Sequence, residues 1–175
     1  RALGHAPTLP EAHELLGRLA TRAGGGLDLF PAGPHAPAGV LAARAHLLAA
    51  AGHAEDGFPL LAAASAHTPG TDWAGIPWIG EPALGVRIEP GLLAQTLMRL
   101  CTAVGDPAPP TLRPYLAVVR HAIAAHPEHA LLLGAGSALA RRVGETDLAI
   151  DWAERGARAR PSKLAEIWLG YAYRS

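Results

Sequence analysis

Apolar residues recur along this chain at helical spacing, in blocks separated by glycine and proline. In the block around residues 91–104, Leu97, Met98, Leu100, Cys101 and Val104 make an apolar face between polar positions. The same pattern predicts helices near 10–23, 38–51, 54–67, 91–104, 111–126, 130–142, 146–159 and 163–174. Their boundaries are Pro10, the Gly24-Gly25-Gly26 stop, Gly52-His53, Pro69, Pro90, Gly105, Pro127, Gly144 and Pro161. Thr111 stands where an N-cap would, and Pro114 falls in the first turn, where a missing N–H is tolerated. Val, Ile, Tyr, Phe and Thr are sparse and rarely alternate, so strands are not expected. Two segments fit no helix. Leu27 to Pro37 carries three prolines and reads as a loop. Gly70 to Pro90 carries Trp73 and Trp78 and reads as an irregular insertion, with a single helical turn at Asp72–Ile76 or a short strand at Ala83–Ile88 as its only candidate elements. Structureless loops of ~20 residues are uncommon in compact domains and often functional.

A period underlies the blocks. Pro127 and Pro161 lie 34 residues apart, and each closes a predicted helix pair. A 34-residue unit with Pro161 at position 32 starts at Ala130 and places Leu133, Gly144, Ala149 and Ala153 at positions 4, 15, 20 and 24. A unit ending on Pro69 starts at Ala38 and places Leu41, Leu48, Gly52, Gly57, Leu61 and Ala64 at positions 4, 11, 15, 20, 24 and 27. A middle unit near Gly91 puts Leu97-Met98 at 7–8 and Gly105 at the turn, but its connection through Asp106-Pro107-Ala108-Pro109-Pro110 is about five residues too long. Ile167 to Tyr173 looks like the start of a further first helix, about one residue out of register. Pro69 and Pro127 are 58 residues apart, 24 more than one period.

This arrangement resembles the tetratricopeptide repeat over roughly 38–69 and 91–175, in a degenerate form whose large aromatic positions are mostly leucine or alanine. The family's pattern asks for small residues at 8 and 20, where the two helices touch, and for proline at 32, which stops the second helix. The resemblance implies an all-α fold: a right-handed α-α superhelix of about three irregular helix pairs plus flanking helices. Residues 1–175 are then a single helical-repeat domain, with 70–90 as an insertion. A chain that begins at Arg1 without methionine and stops at Ser175 reads as a piece of a longer protein.

Composition narrows the function classes. The chain has 175 residues with 15 basic and 15 acidic side chains and a pI near 7.3. Such neutrality argues against a dedicated nucleic-acid or anionic-membrane binder, which needs a large positive field. No apolar run approaches the ~18 residues of a membrane span. One cysteine, Cys101, makes no internal disulfide, which fits a reducing, cytoplasmic compartment. The 38 alanines favour helix and close helix approach. One lysine, Lys163, against 14 arginines suggests a GC-rich bacterial source.

Catalytic constellations are weak. Leu131 to Ala140 reads as a strand running into G-x-G-x-x-A, with Asp151 placed as a ribose-binding carboxylate would be, but no βαβ alternation precedes it and only 24 residues follow Asp151. In the repeat register Gly134 and Gly136 instead allow close helix packing. The nine histidines include no H-E-x-x-H motif and no zinc spacing, so neither metal nor cofactor is expected. Cys101 on its apolar helix reads as an inert core thiol. Trp73 and Trp78 flank Gly75-Ile76-Pro77 and form either a ligand platform or a pin holding the insertion to the helices.

On the tetratricopeptide resemblance, positions 2, 5, 6, 9, 12 and 13 of each first helix line a concave groove. These are His46 in the first unit, Gln95, Thr96, Arg99 and Thr102 in the middle one, and Arg141 and Arg142 in the last. Arginine forks match carboxylates, so the expected partner is a protein or peptide of acidic character. The expectation is therefore a non-catalytic protein–protein interaction or scaffold module, with self-association as a homodimer through apolar surface around Trp168 and Leu169. The alternative is an accessory substrate-positioning domain of a larger enzyme, such as a glycosyltransferase or peptide-modifying enzyme, with the loop tryptophans on its substrate.

Overall fold

The computed structural model describes residues 2–31, 33 and 35–174, and among these the chain is all-helical, with no strand. Ten α-helices follow one another: α1 Ala2–His5, α2 Pro10–Ala20, α3 Ala38–Ala50, α4 Ala54–His67, α5 Pro82–Arg87, α6 Pro90–Ala103, α7 Arg113–Ala125, α8 Ala130–Arg142, α9 Thr146–Ala159 and α10 Lys163–Ala172. Each helix that the apolar spacing predicts is present, with ends displaced by three residues or fewer. Gly24, Gly25 and Gly26 all take positive φ and end α2. In the following loop, of which Ala32 and Pro34 lie outside the described residues, Arg44 Nη1 donates to the carbonyls of Leu27 and Phe30 at 2.7 and 2.6 Å. Arg1 and Ser175, the chain ends on which the reading of a longer protein rests, also lie outside them.

Two helical hairpins are built alike. α3 turns into α4 at Gly52 (φ +90°), and α8 turns into α9 at Gly144 (φ +82°), both in the left-handed region open to glycine. In the first hairpin the helices touch at Ala45 and Gly57, where a Cβ on the glycine would come within 2.7 Å of the Ala45 carbonyl oxygen. In the second they touch at Ser137 and Ala149, whose carbonyl accepts from Ser137 Oγ at 2.7 Å. Both contacts join residues 12 apart, at positions 8 and 20 of the 34-residue unit.

The middle of the chain departs from the expectation of a third such pair. α6 packs between α4 and α8 rather than along α7. The flank of α7 is taken by α5, which the insertion supplies: Gly85 lies so close to the Val118 carbonyl and the Ala122 nitrogen that no side chain would fit. The residues considered as a strand, Ala83–Ile88, are thus mostly α5, which Pro82 starts at a position that needs no N–H. The single turn considered at Asp72–Ile76 appears later, as a 3-10 turn over Pro77–Gly80. Thr111 does not cap α7. Its hydroxyl donates to the Pro69 carbonyl at 2.5 Å, tying the start of α7 to the end of α4.

The G-x-G-x-x-A stretch is neither strand nor phosphate loop but the middle of α8. A Cβ on Gly134 would overlap the ring of Trp168, and one on Gly136 would lie 2.9 Å from both Trp152 and Val119. The glycines are seats for aromatic rings from α10 and α9. One continuous apolar core runs through all these elements, with Phe58, Trp73, Tyr115, Leu97 and Leu132 among its buried members. No described helix is long and apolar enough to cross a membrane.

Candidate interaction groove

α6, α8 and α10 diverge around a cavity of about 330 Å³. Met98 and Thr102 of α6, Ala138, Arg141 and Arg142 of α8, and Trp168 and Tyr171 of α10 line it. Its rim is apolar and open to water: Met98 is 37%, Ile167 44% and Tyr171 52% exposed. One end is cationic. Arg141 is mostly buried, forms an ion pair with Asp106 and stands 5.7 Å from the centre of the Tyr171 ring, within cation–π range. The Arg142 guanidinium donates through Nη1 to the Ala138 carbonyl at 3.0 Å, and its buried Nε has no partner among the described residues. Arg174 also lies over the Tyr171 ring, at 5.3 Å.

Cys101 belongs to this cavity as well. Burial pushes its thiol up to about 11, and the nearby arginine charges offset only part of that rise. The thiol is therefore neutral near pH 7, so it is a poor nucleophile and adds no charge to the site.

Of the residues that the repeat register assigns to one groove, the structure unites Thr102, Arg141 and Arg142 and separates the others. Arg99 lines a different cavity of about 300 Å³ on the far side of α6, against Pro59, Ala66 and His67 of α4. Thr96 also lines that cavity. Gln95 is exposed and lines neither. The helix itself is the divider: Thr96, Arg99 and Ala103, spaced by three and four residues, share its α4 side, while Met98 and Thr102, four apart, share its α8 side.

His46 does not line the cavity between α6, α8 and α10. It is 4% exposed, and its ring meets those of His13 and Trp78 edge-on, with centroids 4.4 and 6.0 Å apart. Its Nδ1 accepts from Trp78 Nε1 at 3.1 Å, which puts the proton of the neutral ring on Nε2. Burial, with a smaller contribution from His13, lowers its pKa to about 3. The repeat register assigns His46 to the groove, but His13 of α2 and Trp78 pack against its ring.

The two loop tryptophans hold the insertion down. Trp73 is buried and donates from Nε1 to Thr68 Oγ1 at 2.7 Å, and Trp78 is half-buried on His46. Trp73 is closed off from solvent, whereas Trp78 keeps part of its side chain exposed. Of the apolar surface expected around Trp168 and Leu169, those two residues are half-buried, and the exposed apolar side chains are Leu164, Ile167 and Tyr171 of α10 and Tyr173 just after it. Sequence reasoning missed Asp106 and Tyr171 as groove residues. The available signals were the overlong connection around Asp106 and the one-residue register shift of α10.

Among the described residues, no group of three or more His, Cys, Asp or Glu is placed to hold a metal ion. No family model, no curated protein and no solved structure matches the chain.

Proposed function

We propose that this chain is a non-catalytic protein–protein interaction module, tetratricopeptide-like in build, that docks an acidic segment of a partner in the groove between α6, α8 and α10. The repeat part of the reading is supported by the two hairpins, which turn on glycine at position 15 and touch at positions 8 and 20. The docking part rests on one observation: two adjacent arginines end a cavity whose rim is exposed and apolar. Arginine pairs with carboxylates through two parallel bonds, while the apolar rim gains by covering hydrophobic side chains beside them. The bacterial, cytoplasmic setting in this proposal comes from composition, one lysine against 14 arginines and a single cysteine, and not from the groove.

Calorimetric titration with an array of acidic, neutral and basic peptides tests the proposal. Binding by acidic members that is lost in the double variant Arg141→Gln/Arg142→Gln is the expected result. Equal binding of acidic and basic members, or of the variant and the parent chain, would overturn it.

A further inference from the structure

Resting on that docking reading, we propose that the arginine end of the cavity is a carboxylate site, that Asp106 occupies it as an internal stand-in, and that the incoming ligand is a glutamate or aspartate flanked by apolar residues, which displaces Asp106.

Asp106 is on the overlong connection between α6 and α7, a feature of the chain that hairpin geometry does not require. That connection lies along the end of α8, where the Ala108 amide donates to the Arg142 carbonyl at 2.9 Å. The extra residues thereby deliver one carboxylate to Arg141. The two partners are unequally buried: the Arg141 side chain is 15% exposed and that of Asp106 44%. The cation belongs to the body of the protein and the anion to its surface. Asp106 can therefore swing into water without uncovering core, whereas Arg141 cannot.

Charge at this end is unbalanced. Arg141 and Arg142 both line it, and Asp106 is the one carboxylate ion-paired there among the described residues. Among the described residues, Arg142 Nε has no acceptor, and the guanidinium is held by the Ala138 carbonyl alone. A ligand carboxylate placed by Arg141 and beside Arg142 meets two guanidinium groups where Asp106 bonds to one. Met98, Ile167 and Tyr171 stand along the open side, so residues on either side of the carboxylate gain most when apolar. Asp106 then sets a threshold. An isolated carboxylate gains little over the internal one, and the flanking apolar contacts decide which ligands displace it.

The test uses the tripeptide N-acetyl-Leu-Glu-Leu-amide and its Gln counterpart, titrated into isotopically labelled chain, with the indole N–H signals of Trp168 and Trp152 as reporters. The Glu probe is expected to move the Trp168 signal and leave that of Trp152 in place. Asp106→Asn should tighten its binding about fivefold or more, the scale of a typical coupling between competing contacts. Arg141→Gln should abolish binding, and the Gln probe should bind neither form. An unchanged melting temperature in Asp106→Asn keeps the comparison on binding. Equal affinity for the parent chain and Asp106→Asn would overturn the stand-in role and leave the docking reading intact. Failure of the Glu probe with both forms, while acidic members of the peptide array bind, would overturn the tripeptide chemistry alone. A dimer seen by light scattering without probe, and lost in Ile167→Glu, would seat a second copy on the rim and overturn the proposal.

Discussion

Replacing Gly134 with alanine asks whether the ring seat on α8 is real. In an exposed helix interior, Gly→Ala stabilises by about 1 kcal/mol through helix propensity. Gly17, half-buried in α2 but with nothing within 4 Å of its absent Cβ, leaves the same room for a methyl, and Gly17→Ala should show that gain. At Gly134 the same methyl would coincide with ring carbons Cε3 and Cζ3 of Trp168. A shift of a few tenths of an ångström does not resolve such an overlap, so the ring must leave its seat. Giving up the burial of a half-buried tryptophan costs about 2–3 kcal/mol, within the range of both overpacking and apolar exposure. The two effects oppose, and eviction wins. The net expectation is a loss of about 1–2 kcal/mol, or roughly 2–8 °C in melting temperature for a chain of this size.

Urea unfolding followed by far-UV circular dichroism gives the midpoint for both variants and the parent. An unchanged slope would show that the same surface unfolds in each. The sign carries the decision. A Gly134→Ala chain as stable as the parent, or stabilised like Gly17→Ala, would refute the packing of α10 on α8. A nucleotide loop at Gly134–Gly136 makes a different forecast: little change in stability, and a thermal shift with NAD that alanine abolishes.

Other sites yield shorter tests. Gly57→Ala sets a methyl against the Ala45 backbone, which cannot rotate away as a side chain can, and should destabilise the first hairpin by about 1–3 kcal/mol in the same unfolding assay. Trp73→Ala should cost about 3–5 kcal/mol, because the ring is fully buried, and should lower the melting temperature whether or not a ligand is present. Cys101, with its thiol pushed up to about 11, should resist iodoacetamide at pH 8 in the folded chain and react once urea unfolds it. His46 has its pKa lowered to about 3 from an ordinary 6.5, so the unfolded chain binds the extra proton first. Its contribution is complete above pH 6.5 and is lost as pH falls toward 3, at up to about 1.4 kcal/mol per pH unit. His46→Gln keeps an acceptor for Trp78, so stability measured from pH 7 to 4 should fall less steeply than in the parent; an identical slope would refute the assignment.

The two hairpins were legible because everything that makes them lies within one 34-residue unit. A glycine at the turn and a small residue 12 positions after its partner suffice, and both are visible as spacing. The middle of the chain was not legible for the opposite reason. Periodicity shows that α6 and α7 each have an apolar face, but not which helix covers it. That choice is made by Gly85, whose missing side chain lets α5 press onto the backbone of α7 at Val118 and Ala122, more than thirty residues away. His46 failed in the same way: its place on α3 is visible in the sequence, while its cover, His13 of α2 and Trp78, comes from elsewhere in the chain.

The segment that breaks the period also shapes the groove. With α5 against α7, α6 is left to pack on α4 and α8, and its two sides become walls of two separate cavities. Arg99 and the Arg141–Arg142 pair, which a regular superhelix would place along one concave surface, are thereby divided. A partner that needed all three arginines would have to cross α6. One that needs Arg141 and Arg142 meets them at the end of a single cavity, beside exposed Ile167 and Tyr171. Arg99→Gln should therefore leave binding of an acidic peptide within about twofold, in keeping with the small effect of an exposed charge, while Arg141→Gln abolishes it. A joint loss in both variants would mean that the ligand spans α6 and that the division of the groove has no consequence for recognition.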